Sequence, residues 1–150
     1  MGRVLVLVAL GNGTCTEPDY VTGDRTKMPH LQFDVDFSID EPAAEQFTAD
    51  IAELYADVMD ASTEYTAVSL RRIDTIYLGR ATGERRVILQ ADVREGRDVE
   101  TRREFALAVI GTVAERFDVP QSNQKVVFTE HDGSQMMGHD RVGDDWSELK

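Results

Sequence analysis

The chain has a single cysteine, Cys15, so no disulfide can form within it. A lone thiol is typical of a protein kept in a reducing compartment, and we expect a cytoplasmic location. No apolar run approaches the ~20 residues of a membrane span. The run at residues 4–10 is at the lower limit of the ~7–15 residues of a signal-peptide core, and one cation, Arg3, precedes it. The sequence therefore favours neither a membrane anchor nor secretion.

Positive charge is also scarce. The chain has 28 acidic and 16 basic residues, of which 13 are arginine, and its net charge is -12. Such an acidic surface repels phosphate groups, so we expect neither nucleic acid nor an anionic membrane as a partner. Arginine has the planar guanidinium that suits carboxylate binding. A lysine-poor, acidic chain also suggests a salt-rich cytoplasm, where screening relieves self-repulsion, and we predict halophilic behaviour.

The acidity is confined to residues 28–150. In residues 1–27 the charges cancel, since three cations balance three anions: Arg3, Arg25, Lys27, Glu17, Asp19 and Asp24. Turn-forming residues dominate this segment and no hydrophobic period persists in it. We interpret residues 1–27 as a leader that is disordered or lies upstream of the true start of the protein at Met28.

From Pro29 onward the hydrophobic residues follow two regular periods. Alternation predicts strands at residues 31–35 and 66–74, and helical spacing predicts a helix between them, capped by Asp40. The same order returns with a strand at 87–93, a helix capped by Asp98, and a strand at 126–129, while residues 75–86 predict a hairpin or an extended loop. The sequence thus predicts an α+β fold for residues 28–130: a duplicated β-α-β sandwich with a four-stranded mixed sheet and two helices on one face.

The other face of this sheet also carries apolar residues, so we expect the protein to oligomerise. Residues 131–150 are rich in glycine and aspartate and have one large apolar residue, Trp146. We interpret them as a tail that contacts a neighbouring subunit. Two His-Asp pairs in this tail, at 131–132 and 139–140, lack a further ligand cluster, so we predict no metal site.

Pro29 and two arginines are the candidate functional residues. A proline at a free N-terminus is a secondary amine, which burial would turn into a base near neutral pH. Inside a longer chain, Pro29 would instead be an ordinary edge-strand proline. Arg94 and Arg97 bracket a short turn at the end of a predicted strand, where two guanidinium groups could hold a substrate carboxylate, or could equally be solvated surface residues.

Several short motifs occur in a fixed order over residues 28–146. They are Met28-Pro29-His30, Tyr77-Leu78-Gly79, Arg94-Glu95-Gly96-Arg97, Gly96-Arg97-Asp98-Val99-Glu100-Thr101-Arg102, Ala114-Glu115-Arg116-Phe117 and Val126-Val127-Phe128. Together they resemble the tautomerase superfamily, with likenesses to its carboxymethyl-hydroxymuconate isomerase, cis-chloroacrylic acid dehalogenase and macrophage migration inhibitory factor branches. The resemblance implies a homotrimer, no metal or organic cofactor, and a catalytic proline exposed when the initiator methionine is removed.

The resemblance further implies that Pro29 is a general base and that Arg94 and Arg97 bind the carboxylate of a small 2-oxo or 2-hydroxy unsaturated acid. In the dehalogenase pattern a histidine, a tyrosine and a water-activating glutamate fall at positions held here by Ala56, Val127 and Gly138. Keto-enol tautomerisation survives these departures, so we expect a tautomerase. The alternatives are a related decarboxylase, a haloacrylate dehalogenase or hydratase, or a non-enzymatic trimeric interaction protein if the leader is retained.

Overall fold

The structure is a computed structural model that describes residues 28–139 and the backbone of residues 141 and 142. The predictions for the leader and for Trp146 lie outside the described residues. The elements follow the predicted order, with a short hairpin added after the last long strand. They are β1 (His30–Val35), α1 (Glu41–Met59), β2 (Ala67–Arg72), β3 (Val87–Arg94), α2 (Val99–Phe117), β4 (Gln124–His131), β5 (Met137–Gly138) and β6 (Arg141–Val142), with 3-10 turns at Thr63–Tyr65, Gln121–Asn123 and Gly133–Gln135.

The main sheet has the strand order β2-β1-β3-β4. β1 is parallel to β2, β3 is parallel to β4, and the two pairs meet antiparallel along β1 and β3. In the register, Phe33 lies opposite Leu70 on one side and Leu89 on the other. Each β-α-β half therefore supplies two adjacent strands, and the predicted duplicated halves and mixed sheet are confirmed.

Both helices begin at the predicted aspartates. A side-chain oxygen of Asp40 accepts a hydrogen bond from the backbone N–H of Ala43 at 3.2 Å, and Asp98 accepts one from Thr101 at 2.9 Å. These bonds satisfy N–H groups that have no partner inside the first helical turn. Both helices end at an aspartate in the left-handed conformation, Asp60 or Asp118.

The core lies between the helices and one face of the sheet. Aromatic rings meet edge to face across this layer, with centroids 5.0 Å apart for Phe33 and Phe47 and 5.2 Å apart for Tyr55 and Phe105. Each fully buried large apolar side chain contributes roughly 1.5–3 kcal/mol. The fully buried members include Leu31, Phe33, Phe47, Ile51, Tyr55, Met59, Leu89, Val93, Phe105, Val109 and Val113.

The opposite face of the sheet is mainly polar, which differs from the apolar surface expected from the sequence. Successive residues of a strand point to opposite faces, so the residues that alternate with the core positions lie on this face. They include Gln32, Ser69, Gln90 and Thr129, and the large apolar residues among them are Ile88 and Val127. Several of these side chains pair across strands; the Arg71 guanidinium, for example, donates to Asp34 at 2.8 Å. Any partner that covers this face must therefore satisfy polar groups.

Residues 73–86 form the extended loop that was one of the two predicted alternatives. Asn123, which is fully buried before β4, anchors it. Its side-chain amide nitrogen donates to the carbonyl oxygens of Thr82, Glu84 and Arg85, and its oxygen accepts from the backbone N–H of Thr82, all within 3.1 Å. Among the described residues, neither α1 nor α2 has the length and hydropathy of a membrane-spanning helix.

Candidate active site

A cavity of about 650 Å³ lies at the end of the sheet where β1 begins and where β3 and β4 end. Four parts of the chain line it: residues 28–30, residues 64–67 before β2, Asp92 with His131, and residues 135–139 after β4. The cavity volume falls within the ~300–1,000 Å³ that is typical of small-molecule sites. The fold thus places a cavity of small-molecule size beside Pro29.

Pro29 is buried and lines this cavity. Its carbonyl oxygen accepts a hydrogen bond from the backbone N–H of Ala67 at 3.0 Å, which fixes the proline against the start of β2. Because β1 is a central strand of the sheet, the edge-strand interpretation of Pro29 is wrong. The proline fits because it directly precedes β1 and so removes no donor from the sheet ladder. In the full chain its nitrogen is an amide joined to Met28, whose side chain is also buried.

An imidazole-carboxylate pair lies in the same cavity. Nε2 of His131 on β4 is 3.0 Å from Oδ1 of Asp92 on β3. The two side chains are 30% and 40% exposed, so the pair is partly accessible. On β1, His30 lies opposite Asp92, and its Nε2 is 3.2 Å from Oγ of Ser69. Acid-base side chains from three neighbouring strands therefore converge at one end of the sheet.

This group was not predicted from the sequence, where His131 was interpreted together with Asp132. The fold instead pairs His131 with Asp92, which lies 39 residues earlier. All three histidines of the chain line the cavity: His30, His131 and His139. One sequence pattern could have indicated this group. His30, Asp92 and His131 are polar residues near strand ends, and each alternates with the buried core residues of its strand. Among the described residues, no three His, Cys, Asp or Glu side chains are arranged to hold a metal ion.

The two candidate arginines do not line the cavity within the described part of the chain. Arg94 ends β3, opposite His131 in the register and two residues after Asp92. Gly96, with φ of 123°, provides the sharp turn that leads on to Arg97. Arg97 lies on the helical side of the sheet, where its Nε donates to the carbonyl oxygen of Met59 at 3.0 Å. A cation at the end of α1 is favourable, since the last helical carbonyls carry partial negative charge.

The guanidinium of Arg97 also lies over the ring of Tyr55, 5.7 Å from its centroid. Burial raises the pKa of Tyr55, while the charges of Arg97 and Arg94 act in the opposite direction. Nη2 of Arg97 and the hydroxyl of Tyr55 are both buried, and neither has a hydrogen-bond partner among the residues that the structure describes. Arg94, Arg97 and Tyr55 thus form a group of polar side chains near the same end of the sheet as the cavity.

The three positions that depart from the dehalogenase pattern lie in different surroundings. Ala56 is half-buried on α1, and Val127 is 39% exposed on the polar face of the sheet. Of the three, only Gly138 lines the cavity. The histidine and tyrosine positions of that pattern are therefore separate from the cavity of this chain.

Two β-α-β halves share one four-stranded sheet, and a proline precedes the first strand at the cavity. No protein-family model matches the sequence, and a search of the curated proteins finds no match. The solved structures do match, and the resemblance to the tautomerase superfamily is confirmed at the level of the fold.

The chain is similar to a macrophage migration inhibitory factor homologue from Prochlorococcus marinus, at 11% identity and a TM-score of 0.68, over 77% of this chain and 99% of that one. It is also similar to N1, a member of the cis-3-chloroacrylic acid dehalogenase family, at 19% identity and a TM-score of 0.70, over 80% and 89%. A third similar structure is Pt0534 inactivated by 2-oxo-3-pentynoate, at 15% identity and a TM-score of 0.69, over 79% and 98%. Because these matches cover most of each neighbour but leave out about a fifth of this chain, proteins without that extra length adopt the same fold.

Proposed function

We propose that the protein, when its chain begins at Pro29, is a keto-enol tautomerase of a small 2-oxo or 2-hydroxy unsaturated carboxylic acid. The observation that carries this proposal is the position of Pro29, which is buried and held by Ala67 in a cavity of about 650 Å³. A free proline nitrogen there is a secondary amine, and burial disfavours its ammonium form, so it can act as a base near neutral pH.

In the proposed reaction the Pro29 nitrogen removes a proton from the enol oxygen or from the carbon next to a carbonyl group. A positioned base of this kind typically contributes about 10²–10⁴-fold to the rate. The protein works in the cytoplasm as a homotrimer and needs no metal or organic cofactor. One similar structure supports the substrate class, since Pt0534 is inactivated by 2-oxo-3-pentynoate, which is an unsaturated 2-oxo acid.

Arg94 and Arg97 hold the substrate carboxylate in this proposal. Arg94 is the better placed of the two, because it lies opposite His131, which lines the cavity. Arg97 retains one buried nitrogen, Nη2, that has no partner among the described residues. The positive charges of both guanidinium groups oppose the burial-driven rise in the pKa of Tyr55, and paired guanidinium groups suit a carboxylate. Trimer assembly then completes the site by bringing a neighbouring copy to the open side of the cavity.

The test is turnover of phenylenolpyruvate and 2-hydroxymuconate by protein that begins at Pro29. We expect measurable ketonisation, and a fall of about 100-fold in kcat/KM for Pro29→Ala. The matched control is Glu104→Gln, an exposed change on α2, a helix that contributes none of the residues lining the cavity, and it should leave the rate unchanged. A Pro29→Ala protein as active as the unmodified one would refute the role of Pro29.

A second candidate activity is decarboxylation or dehalogenation, which would use the same proline but needs an additional carboxylate beside it. Two carboxylate residues, Glu64 and Asp92, do line the cavity. Analysis of the products formed from malonate semialdehyde and from haloacrylates separates this activity from tautomerisation. Release of carbon dioxide or halide at a rate above that of ketonisation would favour the second candidate.

A third candidate, a non-enzymatic interaction protein, depends on the leader. If residues 1–27 remain attached, the nitrogen of Pro29 stays an amide and cannot accept a proton. The intact mass of the protein purified from its source decides between the enzyme and the interaction protein. A mass that corresponds to a chain beginning at Pro29 supports the enzyme, and a mass that includes Met1 supports the interaction protein.

A further inference from the structure

We propose that His131, oriented by Asp92, is a second acid-base group that protonates a substrate carbon distant from Pro29. This inference rests on the proposed tautomerase function and deepens it, because it restricts the substrate class. The preferred substrates are conjugated dienol acids, in which the proton is removed at one end of the molecule and returned at the other.

The pair has the geometry of an oriented imidazole. A carboxylate bonded to one ring nitrogen fixes the orientation of the ring and determines which nitrogen faces the reacting group. In this chain Oδ1 of Asp92 lies 3.0 Å from Nε2 of His131. Nδ1 of His131 has no partner among residues 28–139 and is therefore the nitrogen available to a substrate. Partial exposure of both side chains keeps the pair accessible from the cavity.

The fold sets the distance between the two groups. Pro29 precedes β1 and His131 ends β4, with β3 between them. Neighbouring strands lie about 4.8 Å apart, so Pro29 and His131 are separated by two strand spacings, or roughly 10 Å across the sheet. A conjugated dienol acid that lies across β3 can meet Pro29 at its hydroxyl end and His131 at its distal carbon.

The proposed step conserves protons and charge. The nitrogen of Pro29 accepts the proton of the 2-hydroxyl group, the carbonyl bond forms, and the π electrons shift along the conjugated chain. The distal carbon then forms a C–H bond with the proton that Nδ1 of protonated His131 releases. One O–H and one N–H bond break, and one N–H and one C–H bond form. Water then carries the proton from Pro29 back to His131.

The charged and titratable groups around His131 come from every neighbouring element. Those that line the cavity with it are Asp92 on β3, His30 on β1, Glu64 and Tyr65 before β2, and His139 after β5, and Arg94 lies opposite His131 in the register of β3 and β4. The step requires a protonated imidazole, so the rate for a dienol substrate should decline on the alkaline side of its pH profile. This decline should be absent from the residual activity of a variant that lacks the imidazole.

The experiment compares two substrates in protein that begins at Pro29. In phenylenolpyruvate the proton moves from the enol oxygen to the adjacent carbon, whereas ketonisation of 2-hydroxymuconate can deliver it to the distal carbon. For His131→Asn we expect an approximately 100-fold lower rate of distal protonation of 2-hydroxymuconate. The rate with phenylenolpyruvate should change less than about 3-fold. Asp92→Asn, which keeps the imidazole but loses the orienting carboxylate, should show the same selectivity between the two substrates with a smaller loss.

Asp50→Asn is the matched control, because it also removes a carboxylate paired with a cation, Arg116, at 2.7 Å, but outside the cavity. It should leave both rates unchanged. Equal losses with the two substrates, or no loss with 2-hydroxymuconate, would overturn the role of His131 alone. Failure of the unmodified protein to turn over either substrate would overturn the tautomerase proposal and this inference with it.

Discussion

The carbonyl oxygen of Pro29 accepts a hydrogen bond from the backbone N–H of Ala67 at 3.0 Å. This bond joins the starts of two parallel strands, β1 and β2, and it places the proline at the cavity through its backbone alone. The ring and the nitrogen of Pro29 are therefore not needed to form the bond. A substitution at this position can therefore remove the proline nitrogen without removing the hydrogen bond to Ala67.

Pro29→Ala should leave the fold intact. Alanine supplies the same carbonyl acceptor, and residue 29 precedes the strand ladder rather than belonging to it. We expect the free energy of unfolding to fall by about 1–2 kcal/mol, because the change removes buried ring atoms but breaks no hydrogen bond. Urea denaturation followed by circular dichroism measures this change. A much larger loss would mean that the activity of Pro29→Ala reports unfolding and not chemistry.

Asn123→Ala should be among the most destabilising single changes. The buried amide group of Asn123 makes four hydrogen bonds to the backbone of Thr82, Glu84 and Arg85. Its removal leaves buried backbone groups without partners, at about 1–3 kcal/mol for each group that water cannot reach. We expect a total loss of about 3 kcal/mol or more by urea denaturation. Gln121→Ala, an exposed change in the same turn, should cost less than about 0.5 kcal/mol, and equal costs would contradict the anchoring role of Asn123.

Tyr55→Phe should be neutral or stabilising near neutral pH. The hydroxyl group of Tyr55 is buried without a partner among the described residues, so its removal relieves a desolvation cost of the order of 1 kcal/mol. Burial also raises the pKa of Tyr55 in the folded state. The protonated form is thus favoured by folding, so stability is unaffected below the unfolded tyrosine pKa of about 10 and falls as the pH rises above it.

Alkaline unfolding measures this effect. The unmodified protein should lose stability more steeply than Tyr55→Phe as the pH is raised above about 10. Ultraviolet titration should show one tyrosine that ionises after the others and is absent from the variant. Identical alkaline profiles for the two proteins would contradict the burial of the hydroxyl group.

Salt should stabilise the protein. The net charge of -12 arises from 28 acidic and 16 basic residues, and mutual repulsion of the carboxylates opposes the compact state. At 1 M salt the Debye length falls to about 3 Å, which removes most of this repulsion. We expect the Tm to rise steadily between 0.1 and 2 M KCl, by roughly 10 °C or more. A Tm that does not depend on KCl would refute the halophilic interpretation.

The fold was largely predictable because its signals are local. The helical spacing of apolar residues and the caps at Asp40 and Asp98 are short-range patterns, and both appear in the structure as predicted. The last strand is longer than predicted, since β4 runs from Gln124 to His131 and its outer residues are polar. Polar residues at alternate positions weaken a hydrophobic pattern without weakening the backbone pairing with β3.

The site was less predictable because its contacts are long-range. Pairing of His131 with Asp92 depends on the parallel register of β3 and β4, and no local pattern specifies that register. The position of Arg97 likewise depends on a carbonyl oxygen at the end of α1, that of Met59. Pro29 was singled out from the sequence because a proline at a free chain terminus is a secondary amine, and in the structure it lines the cavity.

The central claim is that a free amine at Pro29 carries the activity. The nitrogen of Pro29 is an amine when the chain begins at Pro29 and an amide when Met28 is retained. The measurement is the rate of phenylenolpyruvate ketonisation by chains that begin at Pro29 and by otherwise identical chains that retain Met28, each verified by intact mass. The account predicts that chains beginning at Pro29 are active and that retention of Met28 lowers the rate by about 100-fold or more. Equal rates for the two chains would contradict it.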